Sequence, residues 1–450
     1  LFAAEQTPRD SVRLTLPHDE TQALFRLSAA LLRMKPQEIL LAAFISVWQN
    51  ALEHSGCVLS LEGHGRETLD GLGDCSSTMG WFTSLYPFVF ANAAPTQLDL
   101  YRDVKDSIRR LPANGFSYLP LRYLKGDDVR ESLTLRPQLS FNYLGESAAD
   151  EDAWLAPAQE PAGNDHGATV VEPFKLDVLA RTVDGQLELM LHGQSPRQTL
   201  TLAELANAWL SELGTLSARL QTLSTGAGSD AGADQNLLSL ADSVVAFASL
   251  AELDATLTAL RLPASGVEEI LPLTGMQAGM WLHCATHPTA YQDQVALRLH
   301  QPLDEQRFAS SVQALVAETQ ALRTGFAQTA KGELLQIVFR ERKENYQFLS
   351  LDSFAAVAEH DEALAELRAT LRSSARDLLH DPLFSITLVR IDAGCFELII
   401  DFHHMALDGW TSAMLLQRLE ALYFGDAHGG DRNAAKGMRA YFEWLGRQSP

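Results

Sequence analysis

The chain has 450 residues, enough for two or three domains, and its 46% hydrophobic content can fill sizeable cores. Its formal net charge of −22 argues against a nucleic-acid partner and a membrane partner, because nucleic acids and anionic membranes are both polyanionic. The four cysteines lie far apart and form no CxxC pair or His/Cys cluster. This spacing indicates neither a disulfide framework nor a structural zinc site, and it fits a reducing cytoplasm.

The first residues do not have the charged-then-apolar pattern of a signal peptide, and the chain begins at Leu1 without a methionine. We therefore expect an excerpt from a longer cytoplasmic polypeptide. The most apolar stretch, ILLAAFISVW at residues 39–48, is too short to span a bilayer. It is predicted to form a buried helix.

The first half of the chain alternates strand and helix patterns, which predicts an α/β fold. Strands are predicted at VRLTL, CVLSLE and YPFVF, and helices over about 20–32, from Pro36 and over 98–111. Farther along, FKLDVLARTVDGQLELMLHG at 174–193 predicts two strands around an Asp-Gly turn, which is a hairpin. An amphipathic helix over 201–220 follows.

Residues from about 222 to 266 open with STGAGSDAGADQ, whose composition cannot bury much apolar surface. We predict an interdomain linker there, with a short helix over 250–260. The α/β pattern resumes from Glu268. The predicted elements are the strand QVALRLH, a helix over 304–318, the hairpin GFAQTAKGELLQIVF, a helix ending near Leu379, and the strands FSITLVRI and FELIIDF.

Two histidines stand side by side in DFHHMALDGWT, residues 401–411. Neighbouring residues of a strand point to opposite faces, so we expect His403 to face the core and His404 to face a cavity. Asp408 and Gly409 suit a turn into a helix, with the aspartate as a cap or an ionic anchor. Taken alone, such a pair is more often a satisfied core histidine beside an exposed one. No third ligand accompanies His404 and Asp408, so no metal is predicted.

The surroundings of this pair resemble the condensation-domain superfamily of nonribosomal peptide synthetases, which shares its fold with chloramphenicol acetyltransferase. HHMALDG matches the family's HHxxxDG motif. LPLTGMQAGMW at 271–281 and ALRTGF at 321–326 resemble two motifs that precede it in that family, in the same order. The chain departs from the pattern at three positions, with Gly275 in place of proline and Glu318 and Thr319 in place of an Arg-His pair.

The resemblance implies that His404 faces the reaction channel as a general base or positioning group. It also implies that His403, Asp408 and Gly409 support the site, with Arg323 as the ionic partner of Asp408. The implied chemistry is attack by the amine of one carrier-bound aminoacyl group on the thioester of another. This reaction needs a neutral amine and a stabilised oxyanion. An imidazole, with an ordinary pKa of about 6.5, suits the first need.

The first half carries a second set of motifs, which begins with LEGHGRE at 61–67 and its strand-ending Glu62. Taken alone, this stretch also fits a solvated loop. Three stretches follow in order: STMGWFTSLYP at 77–87, LPANGFSYLPLRYL at 111–124 and FNYLG at 141–145. Together the four resemble the C-terminal motif series of a nonribosomal peptide epimerization domain. The departures are Ser77 for arginine, and Ser117 and Leu119 for glycines.

Epimerisation removes a proton from the carbon next to a thioester and returns a proton to the opposite face of that carbon. This reaction calls for two acid/base groups on opposite sides of the carbon. The resemblance makes Glu62 the carboxylate, with Asn142 and Tyr143 lining the channel. The matching histidine would belong to an N-terminal lobe before Leu1. His64 is a poorer substitute, because neighbouring turn residues would not lie across the substrate from each other.

The resemblance implies two chloramphenicol acetyltransferase-like α/β lobes. Residues 1–222 would be the C-terminal lobe of an epimerization domain, 223–266 a linker, and 267–450 the N-terminal lobe of a condensation domain. The parent protein would epimerise a carrier-bound aminoacyl or peptidyl thioester from L to D, then condense it with the next carrier-bound amino acid. By domain order, the condensation domain takes a D-configured donor and an L-configured acceptor.

The implied partners are peptidyl carrier protein domains and neighbouring synthetase domains. No cofactor is expected to bind directly, since the carriers present substrates on a 4'-phosphopantetheine arm. A module that only docks carrier proteins is the alternative function. A stand-alone acetyltransferase is disfavoured by two different motif sets separated by a linker.

Overall fold

The computed structural model describes residues 10–53, 56–67, 74–92, 94, 96–147, 173–225, 237–342, 345–351, 360–373, 375–425 and 437–448. The chain divides into two compact units. The first unit comprises Leu1–Ala233 with Leu237–Ala241, and the second comprises Asp234–Asn236 with Asp242–Pro450. Each unit combines sheets with helices, which confirms the predicted α/β fold class.

The first unit contains a six-stranded sheet in the order β1-β6-β5-β4-β2-β3. Its strands are β1 Asp10–Leu16, β2 Cys57–Gly63, β3 Ser84–Phe90, β4 Leu139–Ser147, β5 Leu176–Val183 and β6 Gln186–Gly193. The central strand β4 runs parallel to both of its neighbours, β2 and β5. The predicted hairpin is confirmed as β5 and β6, which turn at Asp184 (φ 49°) and Gly185 (φ 74°). Two consecutive positive φ angles are what a two-residue type I′ turn requires.

The described part of the first unit also contains helices. They are α1 His18–Leu27, α2 Pro36–Leu52, α3 Gln97–Arg109, α4 Tyr118–Leu124, α5 Asp127–Ser132 and α6 Leu202–Thr225. The main core lies between the sheet and α1, α2, α3 and α6. Every residue of α2 from Ile39 to Ile45 is 0% exposed, so the predicted buried helix is confirmed. Alternate residues of β2 and β4 point into this core, which leaves Glu62 and Asn142 on the opposite face.

The region predicted as a linker is more ordered than its composition suggested. Helix α6 continues to Thr225, and residues 226–236, with most of the Gly-rich stretch, lie outside the described residues. Residues 237–241 pack onto α3 of the first unit, where Arg102 Nε donates to Leu238 O at 2.6 Å and Asp106 accepts the Ala241 N–H at 2.7 Å. In the second unit the predicted short helix is confirmed as α7 Leu250–Ala259.

The second unit contains two sheets, with strand orders β7-β10-β9 and β11-β12-β13-β8. The strands are β7 Val267–Pro272, β8 Gln292–Leu299, β9 Thr324–Gln328, β10 Leu334–Phe339, β11 Tyr346–Ser350, β12 Phe384–Asp392 and β13 Cys395–His403. The helices after α7 are α8 Gly275–Cys284, α9 Glu305–Glu318, α10 His360–Ser373, α11 Gly409–Phe424 and α12 Met438–Gln448. The predicted elements of this half are therefore present.

One predicted boundary in the second unit is wrong. The helix expected to end near Leu379 is α10, which ends at Ser373. The Asp377 carboxylate then accepts the backbone N–H groups of Leu379 at 2.8 Å and His380 at 3.1 Å. Such a side-chain bond to the following backbone favours a turn over a helix. The apolar residues Leu378 and Leu379 continue the hydrophobic pattern of α10, and this pattern predicted a longer helix.

Strand β13 is buried on both faces, as its continuous apolar run predicts. Its even-numbered residues 396–402 belong to a core that also contains residues of α9 and α11. On the other face, Ile399 packs with Leu364 of α10. The strand therefore places its last residue, His403, in a buried position and the next residue, His404, at the margin of the sheet.

Candidate functional site

His403 is a fully buried structural histidine. The residue is 0% exposed, and its backbone N–H donates to Leu383 O at 2.8 Å. Its ring nitrogen Nδ1 accepts a hydrogen bond from the backbone N–H of Met405 at 3.2 Å. Since an N–H can only donate, Nδ1 carries no proton and Nε2, which lies 3.7 Å from Cys284 Sγ, carries it. Burial lowers the pKa of His403 to about 4, and the positive charge of Arg376 adds to this. The ring is therefore neutral near pH 7.

His404 lies at the margin of the sheet, with 36% of its side chain exposed. Its backbone N–H donates to Tyr291 O at 2.9 Å, and its Nδ1 is 3.3 Å from Leu407 O. The Leu407 contact fixes the orientation of the ring through Nδ1, and Nε2 is engaged separately by a carboxylate. Nε2 is 2.9 Å from Asp293 Oδ2. The predicted difference in burial between the two histidines is thus present.

Asp408 caps helix α11. Its Oδ1 accepts from Thr411 N at 2.9 Å and Thr411 Oγ1 at 2.6 Å, and these hydrogen bonds hold the pKa of Asp408 below its usual value. Gly409 is the first residue of α11, and a Cβ there would meet nothing within 4 Å. The described structure gives no packing reason for glycine at this position.

The predicted ion pair between Asp408 and Arg323 is not formed. Arg323 is 5% exposed, forms an ion pair with Glu268 and donates through Nε to Val316 O at 3.0 Å. Val316 lies in the last turn of α9, where carbonyl groups lack helical partners. The buried guanidinium of Arg323 therefore stabilises the end of α9. The Asp408 carboxylate has a different partner, the start of α11, which it caps.

The first motif of the second unit holds the histidine pair in place. Thr274 and Gln277 form a capping box at the start of α8, which explains why Gly275 can replace proline there. The Gln277 Nε2 group donates to Met405 O at 2.8 Å. At the other end of the helix, Cys284 reaches His403. Helix α8 therefore contacts the segment around both histidines.

Glu62 is the last residue but one of strand β2 and lies on the exposed face of the sheet. Asn142 on the parallel strand β4 donates through Nδ2 to Glu62 Oε2 at 2.5 Å. Tyr143 points to the opposite face, where its hydroxyl lies 3.0 Å from Thr182 Oγ1 and its ring is edge-on to Phe25. The structure thus brings Asn142 to Glu62 but not Tyr143, because adjacent strand residues alternate.

The predicted motifs of the first unit meet near the end of β2. Arg66 donates to Thr78 O at 3.0 Å and stacks 4.5 Å from the centre of the Phe82 ring. Asn114 of the third motif donates to Glu67 at 2.6 Å. Gly65 has φ +67°, and a Cβ there would lie 1.6 Å from Phe82 O, so only glycine fits. The role of Arg66 could not be predicted from the sequence, because Arg66 donates to the backbone carbonyl of Thr78 and not to a side chain.

His64 remains at the surface of this loop, with 67% of its side chain exposed. Its Nδ1 accepts the Arg66 N–H at 3.0 Å, and its Nε2 lies 3.5 Å from Glu67. His64 therefore takes part in the turn that follows β2.

Among the described residues of the whole chain, no group of three His, Cys, Asp or Glu side chains could hold a metal ion. The described helices include none with the length and apolarity to cross a membrane.

Replacing His403 with alanine is expected to lower the free energy of unfolding by roughly 1–3 kcal/mol at pH 7, because it leaves a cavity and orphaned partners. The difference in the free energy of unfolding between the wild type and His403→Ala should become smaller as the pH falls. The unfolded state takes up a proton near pH 6.5 and the folded state only near pH 4, so stability is lost as pH falls through this window, by up to roughly 3 kcal/mol. Urea unfolding of both proteins from pH 8 to pH 4 measures this, and parallel pH profiles would contradict it.

Comparison with known proteins gives a consistent family. The condensation-domain family matches residues 3–195 and 267–449. One subunit of the linear gramicidin synthase of Brevibacillus parabrevis is 30% identical over 97% of this chain, and bacitracin synthase 1 of Bacillus licheniformis is 26% identical over 99%. The chain spans only 8% of the length of each of these two relatives.

Among solved structures, the epimerization domain from the third module of tyrocidine synthetase B is 26% identical to this chain, with a TM-score of 0.45. That match covers 49% of this chain and 51% of that domain. The family match covers more than half of the residues, on both sides of residues 196–266. The chain therefore belongs to the condensation-domain family.

Proposed function

We propose that this chain joins two half-domains of a nonribosomal peptide synthetase. Residues 1–222 are the C-terminal lobe of an epimerization domain, 223–266 connect the lobes, and 267–450 are the N-terminal lobe of a condensation domain. The parent protein epimerises a carrier-bound aminoacyl or peptidyl thioester and then joins it to the next carrier-bound amino acid. The 4'-phosphopantetheine arms of carrier domains present both substrates, and the donor arrives in the D configuration.

The observation that carries the condensation half of this proposal is the unequal state of the two histidines. His403 is enclosed, neutral and bound through both ring nitrogens, so it supports the fold. His404 is part-exposed, its Nδ1 is bound to Leu407 O, and its Nε2 contacts the exposed carboxylate of Asp293. A general base needs this arrangement, with one nitrogen fixed and the other within reach of the substrate.

In the condensation step, the amine nitrogen of the acceptor attacks the thioester carbonyl of the donor. His404 Nε2 takes the proton that the nitrogen loses, the carbon–sulfur bond breaks, and the leaving thiolate takes up that proton. The products are an amide and a free thiol. The imidazole thus acts first as base and then as acid, through the ring nitrogen that Leu407 O does not hold.

In the epimerisation step, Glu62 is one of the two groups that exchange protons with the α-carbon. It is exposed at the end of β2, and the amide donor of Asn142 holds one of its oxygens, so the carboxylate is oriented without being enclosed. The second group is a histidine of a further lobe outside residues 1–450. The motif clustering around Arg66 and Asn114 supports this site, since it orders the loop that follows Glu62.

The lobe assignment is tested by comparing residues 1–450 with a chain extended at both ends to two whole domains. We expect residues 1–450 to show little α-proton exchange and little dipeptide formation, because each channel needs two lobes, and the extended chain to show both. Exchange into a carrier-bound aminoacyl thioester is read by mass spectrometry in deuterated water. Robust epimerisation by residues 1–450 alone would show that the lobe assignment is wrong.

A further inference from the structure

Asp293 lies beside the reactive nitrogen of His404, and no family motif drew attention to it. It is the second residue of β8, the edge strand that pairs with β13, and its register partner is Phe402. This register brings Asp293 Oδ2 to 2.9 Å from His404 Nε2. The carboxylate is 57% exposed, so it faces the same open side as the imidazole.

The contact with Asp293 is separate from the one that orients the ring. Leu407 O binds Nδ1 and Phe402 packs edge-on against the imidazole at 5.6 Å, so the ring is held without the carboxylate. Asp293 instead occupies the place that a substrate amine must take to give a proton to Nε2. Other ionisable groups near the two histidines have partners of their own: Cys284 bonds His403, Tyr291 bonds His283, and Asp408 caps α11.

We propose that Asp293 is the acceptor-binding residue, whose carboxylate receives the α-ammonium group of the acceptor and delivers it to His404. The proposal rests on the proposed function, which makes His404 the general base. Peptide-bond formation has one cationic reactant, because an α-amino group is largely protonated near neutral pH. A carboxylate binds an ammonium through short charge-assisted hydrogen bonds, whereas the uncharged donor thioester gains nothing from it.

The proton balance follows from this arrangement. The bound ammonium gives one proton to Nε2, and the part-exposed imidazole releases it to solvent. The neutral amine nitrogen then forms its bond to the thioester carbon as the carbon–sulfur bond breaks. The second proton lost by that nitrogen passes through Nε2 to the leaving thiolate, so the products are an amide, a thiol and one released proton.

The test uses a chain extended to a whole condensation domain, with the donor loaded on its carrier and an aminoacyl N-acetylcysteamine thioester as the varied acceptor. The Asp293→Asn substitution should lower kcat/KM for the acceptor by roughly 10- to 100-fold, the usual range for losing a charged hydrogen bond, mainly through a higher acceptor KM. The donor KM should stay unchanged. Asp293→Glu should recover part of the loss, because it keeps the charge.

Asp392→Asn is the matched control. Asp392 is an exposed aspartate at the other end of the β12–β13 hairpin, roughly 30 Å along the strand from His404, and it should leave both KM values unchanged. His404→Ala in the same assay separates the two proposals. If His404→Ala abolishes condensation but Asp293→Asn leaves the acceptor KM unchanged, or raises both KM values equally, the role of Asp293 is overturned alone. Full activity of His404→Ala overturns both.

Discussion

Replacing His404 with alanine in a chain extended to a whole condensation domain is expected to lower the rate of peptide-bond formation by roughly two to four orders of magnitude. Fold stability should hardly change, because the side chain is 36% exposed and makes its hydrogen bonds at the surface of the unit. The loss comes from the missing proton acceptor at Nε2. Single-turnover dipeptide formation measures the rate, and a thermal melt measures stability.

His403→Ala is the matched control for this prediction, since the two histidines are adjacent and receive the same substitution. His403 is 0% exposed, and its removal should lower the melting temperature. The two variants are therefore expected to fail in different assays. A His404→Ala protein that melts early, or one that condenses at the wild-type rate, would overturn the roles given to this pair.

Replacing Glu62 with glutamine in a chain extended to a whole epimerization domain should nearly abolish exchange of the substrate α-proton with deuterated water. Glutamine keeps the size of glutamate, and its side-chain oxygen can still accept the Asn142 hydrogen bond. An amide cannot take a proton from carbon, so chemistry is lost while the fold is kept. Mass spectrometry of the carrier-bound thioester measures the exchange.

Glu146→Gln is the control for the Glu62 variant. Glu146 is an exposed carboxylate in β4, the strand that pairs with β2, and it receives the same change of charge. Its exchange rate should match that of the wild type. Wild-type exchange in a correctly folded Glu62→Gln protein would remove this carboxylate from the mechanism.

Much of the fold could be predicted because local chemistry and tertiary structure agree. The Asp-Gly pair at 184–185 adopts the two positive φ angles that a tight hairpin needs, and the apolar run at 39–48 is the buried helix α2. The end of α10 was missed because Leu378 and Leu379 continue an apolar pattern, whereas the Asp377 side chain bonds the backbone in a turn. A competing side-chain bond leaves no mark in hydrophobic periodicity.

The candidate sites were predictable where they depend on strand alternation. The period of two distinguishes His403 from His404, and it also places Tyr143 and Asn142 on different faces, although the motif resemblance placed both in the channel. Partners distant in the chain could not be predicted. The register of β8 on β13 brings Asp293 to His404, and the fold of the second unit brings Glu268 to Arg323.

The most direct measurement of the whole account is one single-turnover assay in deuterated water, on a chain extended at both ends and loaded with donor and acceptor. Wild type should give a deuterated dipeptide. Glu62→Gln should nearly abolish α-deuteration of the carrier-bound donor, and His404→Ala should still deuterate the donor but form little dipeptide. Loss of α-deuteration on replacing His404, or undiminished deuteration without Glu62, would contradict the assignment of these two residues to two different half-domains.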